Sequence, residues 1–165
     1  MIELFYANTP NGRKISIMLE EINFDYKITE IDLSKGDQFK SDFRKISPLS
    51  KIPAITDHKN KISFFQSGAI LIYLAELSGK FYDKEDRVVI NQWLMAQMGD
   101  IGPMLGQHHQ FHHYNPGKSK FGEDRYFSSI WSISIKQFNH FFLHLIFPAY
   151  FLKLLYIQIY MFHLV

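Results

Sequence analysis

The sequence predicts an α/β unit in its first eighty residues, followed by an all-α domain. Three observations carry this. Residues 1–80 read as strand, helix, strand, short helix, strand, strand, helix. From Asp83 to Ile130 the pattern is helical. Near residue 130 the composition breaks. A strand–helix–strand opening followed by paired strands and a closing helix packs as a sheet with helices on its faces.

Each element follows from local chemistry. Ile2, Leu4 and Tyr6 alternate with Glu3 and Phe5, a short strand. Thr9 suits a helix N-cap and Pro10 the first helical position, where its missing N–H costs nothing. Ile15, Met18, Leu19 and Ile22 then form an amphipathic stripe, with Arg13, Lys14, Glu20 and Glu21 expected on the opposite face. Tyr26–Asp32 alternates as a second strand, and a short helix is expected near Gln38–Lys45. Lys51–Thr56 and Lys61–Phe65 flank Asp57–Asn60, a hairpin signal. Gln66-Ser67-Gly68 opens a helix over Ala69–Leu77, with Ile70, Tyr73, Leu74 and Leu77 on one stripe and Ala69 and Ile72 on another; Ser78-Gly79 closes it. Asp83 is expected to cap the next helix, with Gly99, Gly102 and Pro103 interrupting it, and a further helix starts at Glu123–Ile130.

Composition bounds the function. The 165 residues hold no cysteine, which excludes a disulfide framework, a Cys-ligated metal, a protein-thiol nucleophile and a CxxC redox pair. Sixteen Phe, nine Tyr and two Trp can support a packed core. A net charge of +2 is too small to indicate nucleic acid as a partner. The first residues carry no secretory pattern, so the expected location is the cytoplasm.

Residues 131–165 differ from the rest. Lys136 and Lys153 are their only charged side chains, so residues 1–130 carry 16 basic and 16 acidic residues. Ten aromatics crowd the same stretch. The organisation expected is therefore 1–80, an α/β domain; 81–130, the start of an all-α domain; and 131–165, an atypical apolar tail that leaves that domain incomplete. A frameshifted or truncated reading frame is the first explanation. A divergent buried helix and a membrane-associated segment are the others, with Pro148, Lys153, Gln158 and His163 arguing against a clean span.

Thr9-Pro10-Asn11-Gly12, Ile46-Ser47-Pro48, Lys51-Ile52-Pro53-Ala54-Ile55, Ser67-Gly68-Ala69-Ile70-Leu71 and Gly102-Pro103-Met104-Leu105-Gly106-Gln107 occur in one order. In these motifs residues 1–130 resemble the glutathione S-transferase family, in particular its bacterial nu-type and Ure2-like disulfide-bond oxidoreductases. The resemblance implies a thioredoxin-like first domain and glutathione as substrate or bound thiol, with no metal. It implies a cis Ile52–Pro53 bond that leaves the Ile52 backbone free to pair with the ligand as an added strand. Gln66 and Ser67 would meet the γ-glutamyl group at a helix N-terminus; the nu-type pattern usually has Glu where Gln66 stands. Lys51 and Gln38 would hold the glycyl end, and Arg125 would reach the site from the second domain. Thr9 and Asn11 would donate hydrogen bonds to the sulfur and favour its thiolate. Tyr6, the rival activating group, lies in an alternating strand and reads as core.

The expected activity is glutathione-dependent thiol–disulfide exchange on small disulfide or electrophilic substrates, with weak conjugating activity and a homodimeric state. The alternative is a non-catalytic glutathione-binding or interaction protein, or a truncated inactive enzyme. His108, His109, His112 and His113 form two i, i+4 pairs, but no Asp, Glu or Cys within the cluster completes a metal shell.

Overall fold

A computed structural model describes residues 1–132; the expectations for the apolar tail fall outside the described residues. The chain divides between Lys84 and Glu85 into two compact units. In the first, β1 (Ile2–Tyr6), α1 (Pro10–Ile22), β2 (Tyr26–Glu30), α2 (Ser41–Ile46), β3 (Ala54–Asp57), β4 (Ile62–Phe65) and α3 (Ser67–Ser78) follow one another. The sheet has the order β2-β1-β3-β4, with β2 parallel to β1 and the other neighbours antiparallel. This is the thioredoxin-like arrangement that the resemblance implies.

Alternation along β1 divides the core. Ile2 and Leu4 are buried on the face that α1 and α3 cover. Phe5 points to the other face and meets Phe43 of α2, ring centroids 6.0 Å apart. There Ile31, Phe43 and Ala54 form a small core with Phe5, Ile46, Ile52 and Phe65 packed on it. Thr9 caps α1 as expected, accepting from Gly12 N at 3.2 Å. A Cβ on Gly12 would stand 2.3 Å from the Ala7 carbonyl oxygen, so only glycine lets this first turn lie against the end of β1.

Lys14 departs from the expected pattern. It is 4% exposed rather than solvated, because its position falls on the stripe of Met18 and Ile22, both buried. In α3, Ile70, Leu71, Leu74 and Ala75 are buried, whereas Ala69 and Leu77 are exposed. The hairpin and helix are tied by Asp57, 2% exposed. Its carboxylate accepts from Lys59 N at 2.8 Å, Asn60 N at 3.1 Å, Asn60 Nδ2 at 2.8 Å and the Tyr73 hydroxyl at 2.6 Å.

In the second unit, α4 (Arg87–Ala96), α5 (Gly102–His109) and α6 (Lys120–Ser132) are joined by π-helical turns at Gln97–Ile101 and Gln110–Tyr114. Asp83 is not the cap of α4. The helix begins four residues later, behind Asp86, whose αR backbone (φ −96°, ψ −2°) lacks the extended geometry that brings a side chain onto first-turn N–H groups. Nor do Gly99, Gly102 and Pro103 break the helix. The wider π turn just before Pro103 absorbs its ring and missing N–H, so the chain stays helical from Arg87 to Tyr114. α6 starts earlier than expected because Ser119 caps it, accepting from Gly122 N at 3.1 Å. Among the described residues no helix is long and apolar enough to cross a membrane.

Candidate functional site

Register brings the functional segments together. Phe5 stands opposite Ala54, and Ala54 opposite Phe65. Tyr6 stands opposite Glu30. The end of β1, the end of β2, the start of β3 and the end of β4 therefore share one edge row. Four segments leave the sheet at that end: 7–9, 31–40, 47–53 and Gln66. From β1 to β4 is two strand spacings, about 10 Å, the reach of about three extended residues.

Thr9, Asn11, Gln38, Lys51, Ile52, Gln66 and Ser67 all lie on these segments or on the helix starts behind them. Because the Thr9 oxygen accepts from Gly12 N, its hydroxyl hydrogen is left to donate elsewhere. Pro10 has no N–H and Gly12 N is engaged, so the backbone N–H of exposed Asn11 and its side-chain amide are the donors left open at the start of α1 among the described residues. Tyr6 is half-buried and turns its hydroxyl to Asn8 Oδ1 at 3.3 Å, where Arg13 Nε also donates at 2.6 Å.

Ile52–Pro53 is cis. The Ile52 side chain packs against the small core, and its backbone N–H and C=O take no hydrogen bond among the described residues. The preceding loop is held by fully buried Ser47, which donates to the Lys51 carbonyl at 2.7 Å and accepts from Lys51 N at 3.3 Å. Lys51 itself is exposed. Gln38 sits in a single 3-10 turn, Asp37–Phe39, steadied by Asp37 Oδ2 accepting from Asp32 N at 3.1 Å. Its side-chain oxygen Oε1 is buried and has no hydrogen-bond partner among the described residues, an acceptor open to a donor.

Gln66 precedes α3 at φ 76°, ψ 112° and gives the helix no side-chain cap. Such backbone costs about 1–3 kcal/mol in a non-glycine residue and concentrates at ligand sites. Ser67 follows, buried. Arg125 belongs to the second unit, on α6, with its guanidinium carbon 6.0 Å from the Tyr126 ring centroid.

In the histidine cluster, the His108 and His112 rings stack at 4.2 Å and those of His109 and His113 lie 4.4 Å apart. Burial and then the neighbouring His113 hold His109 below the ordinary imidazole value. Among the described residues no three His, Asp or Glu side chains converge as a metal site requires.

Sequence reasoning missed Ser47 as a loop clamp, Lys14 as a buried charge and Asp57 as the tie between hairpin and α3. The Ser-Pro pair and the Asp-x-x-Asn turn were visible in the sequence, but their long-range partners were not. Ser47→Ala is expected to lower stability by about 1–3 kcal/mol, because both backbone polar groups of Lys51 lose their partner. Denaturant unfolding reads that loss.

A sheet of order β2-β1-β3-β4, whose end gathers two helix starts and a backbone edge unpaired among the described residues, defines a thioredoxin-like domain. Residues 2–76 match the family described as glutathione S-transferase, N-terminal domain. Residues 2–76 are therefore a glutathione S-transferase N-terminal domain. It is 48% identical over 133 residues to the disulfide-bond oxidoreductase YfcG of Escherichia coli (strain K12), an alignment covering 76% of this chain and 62% of that relative. A glutathione transferase from Pseudomonas putida, solved with one glutathione disulfide bound per subunit, superposes with TM-score 0.72 at 40% identity over 78% of this chain and 59% of its own. Another from Burkholderia graminis, with two glutathione molecules bound per subunit, gives TM-score 0.73 at 40% identity over 78% and 57%. The chain thus spans about three fifths of the length of these proteins.

Proposed function

We propose that the protein is a glutathione-dependent disulfide-bond oxidoreductase that uses bound glutathione as its thiol. One observation carries the reading: donors at Asn11 and an Ile52 backbone that are unpaired among the described residues share one end of a sheet in a chain without cysteine. A thioredoxin-like domain without a thiol needs one from its ligand. The relatives that bind one glutathione disulfide or two glutathiones per subunit support this source.

Glutathione lies across the sheet end. Its cysteinyl unit pairs with the Ile52 backbone, its γ-glutamyl group meets Gln66 and Ser67, and its glycyl end meets Lys51. The orphaned Gln38 oxygen accepts an N–H from the ligand. The sulfur sits before α1, where Thr9 and Asn11 donate to it and the helix start favours the anion.

The thiolate attacks one sulfur of a small disulfide. A glutathionyl mixed disulfide forms and the first substrate thiolate leaves. A second glutathione thiolate attacks the glutathionyl sulfur, forms glutathione disulfide and releases the second substrate thiolate. Two glutathiones are oxidised, one disulfide is reduced, and the two glutathione protons end on the two product thiols. The proposed setting is the cytoplasm, where glutathione keeps thiols reduced. Exposed Phe39 and Leu49 in the same segments support self-association as a homodimer.

Calorimetric titration with reduced glutathione, followed by a reduction assay on a small dialkyl disulfide, tests the reading. Saturable binding with turnover is the expected result. Binding without turnover would leave a glutathione-binding protein and remove the enzyme, and no complex at millimolar ligand would remove both.

A further inference from the structure

Lys14 is a charge that the chemistry above does not use. It is 4% exposed. No ion pair or hydrogen bond engages it among the described residues. Arg13 is turned to Asn8, Glu20 accepts from Tyr26, and Lys80 donates to the Ile22 carbonyl at 3.4 Å. Glu3 of β1 is engaged by Thr29, Lys27 and His58. Residues 131–165 contain no carboxylate side chain. Isolated burial of an ammonium is costly, and here it draws the group down to about 8.

Its position suggests a use. Lys14 stands one turn after Asn11 on α1, and residues three apart on a helix are neighbours on one face, about 5–6 Å between Cβ atoms. Long helical side chains lean back over the preceding turn, which here carries Pro10 and Asn11. We propose that the Lys14 ammonium is a positioning charge for the glutathione sulfur, a buried cation behind Asn11 that draws the bound thiol into its ionised form. This rests on the glutathione reading above.

The helix start alone gives a partial positive charge; Lys14 adds a whole one, poorly screened because it is shielded from water. At a separation near 8 Å and an effective dielectric of about 20, such a charge moves a thiol titration by roughly one to two pH units. Coupling is reciprocal: the thiolate must raise the Lys14 midpoint as far as Lys14 lowers that of the thiol.

Two measurements on the full chain test this. The ultraviolet absorbance of bound glutathione thiolate is followed against pH in the wild type, Lys14→Met and Lys14→Arg. The thiol midpoint is expected to rise by about one unit or more in Lys14→Met and to stay near wild type in Lys14→Arg. Should Lys14→Met not fold, the wild type alone decides. The Lys14 side-chain titration, read by NMR with glutathione and then with S-methylglutathione, should show a higher midpoint with the free thiol. Coincident thiol midpoints in wild type and Lys14→Met, or coincident Lys14 midpoints with the two ligands, would overturn the inference while leaving glutathione binding intact. Failure of the wild type to bind glutathione would overturn both it and the reading beneath it.

Discussion

Replacing Thr9 and Asn11 together by alanine is expected to lower glutathione-dependent disulfide reduction by about 10²–10³-fold while leaving glutathione affinity within a few-fold. Hydrogen bonds to a charged acceptor contribute about 1.5–3 kcal/mol each, and about 1.4 kcal/mol corresponds to tenfold in rate. In the proposed binding mode the two donors act on the sulfur, whereas the backbone pairing at Ile52 and the contacts at Gln66, Ser67 and Lys51 hold the rest of the tripeptide. Thr9 also caps α1 through Gly12 N, so its loss should cost about 1 kcal/mol of stability. Asn11 is exposed and caps nothing, so Asn11→Ala alone should lose rate at unchanged stability. Steady-state reduction rates beside thermal unfolding separate the two effects. Equal turnover in wild type and double variant would remove the proposed role of these residues.

Asp57→Ala is expected to be the most damaging single change to the first unit. Four donors converge on this buried carboxylate. Alanine would remove the shared acceptor of the Tyr73 hydroxyl and of the Lys59 and Asn60 N–H groups, leaving Asn60 Nδ2 only its bond to the Tyr73 oxygen at 2.9 Å. At about 1.5–3 kcal/mol for a hydrogen bond to a charged acceptor, losing the Tyr73 bond and part of the turn bonds gives a loss of about 3 kcal/mol, since the exposed Lys59 and Asn60 donors regain water. In a domain of this size, that lowers Tm by more than about 12 °C.

The pH dependence of this contribution has a definite sign. Burial pushes the Asp57 carboxyl up, but the Tyr73 hydroxyl and the N–H groups of Asn60 and Lys59 outweigh it and hold the group below its ordinary value. A depressed carboxylate stabilises the fold above its unfolded pKa, about 4, and that contribution fades as pH falls through the lower folded value. Urea unfolding at neutral pH and near pH 3 should therefore show the gap between wild type and Asp57→Ala narrowing in acid. A gap that stays constant would deny the carboxylate its charged role.

Much of the fold was legible because local and global preferences agree. Thr9-Pro10 and the stripe from Ile15 to Ile22 announced α1, and Gly79 ended α3 in the left-handed conformation that glycine tolerates. What stayed hidden depends on tertiary context. Lys14 looked like a solvated residue, since sequence offers no reason to bury an unpaired ammonium. Gly99 and Pro103 are breakers by local rules, and only the wider turn at Gln97–Ile101 shows how the helix passes them. At the candidate site the same division holds. Thr9, Ile52 and Ser67 stood out by motif, whereas the unpartnered Gln38 oxygen and the Ser47 clamp exist only once distant segments meet.

A cysteine-free site has a consequence for durability. An enzyme whose nucleophile is one of its own cysteine side chains is lost when peroxide carries that sulfur to the sulfonic state. Here the reacting atom would arrive with the ligand and depart with it. Oxidative injury would fall on an expendable reagent, and the scaffold would resume work with the next molecule to dock.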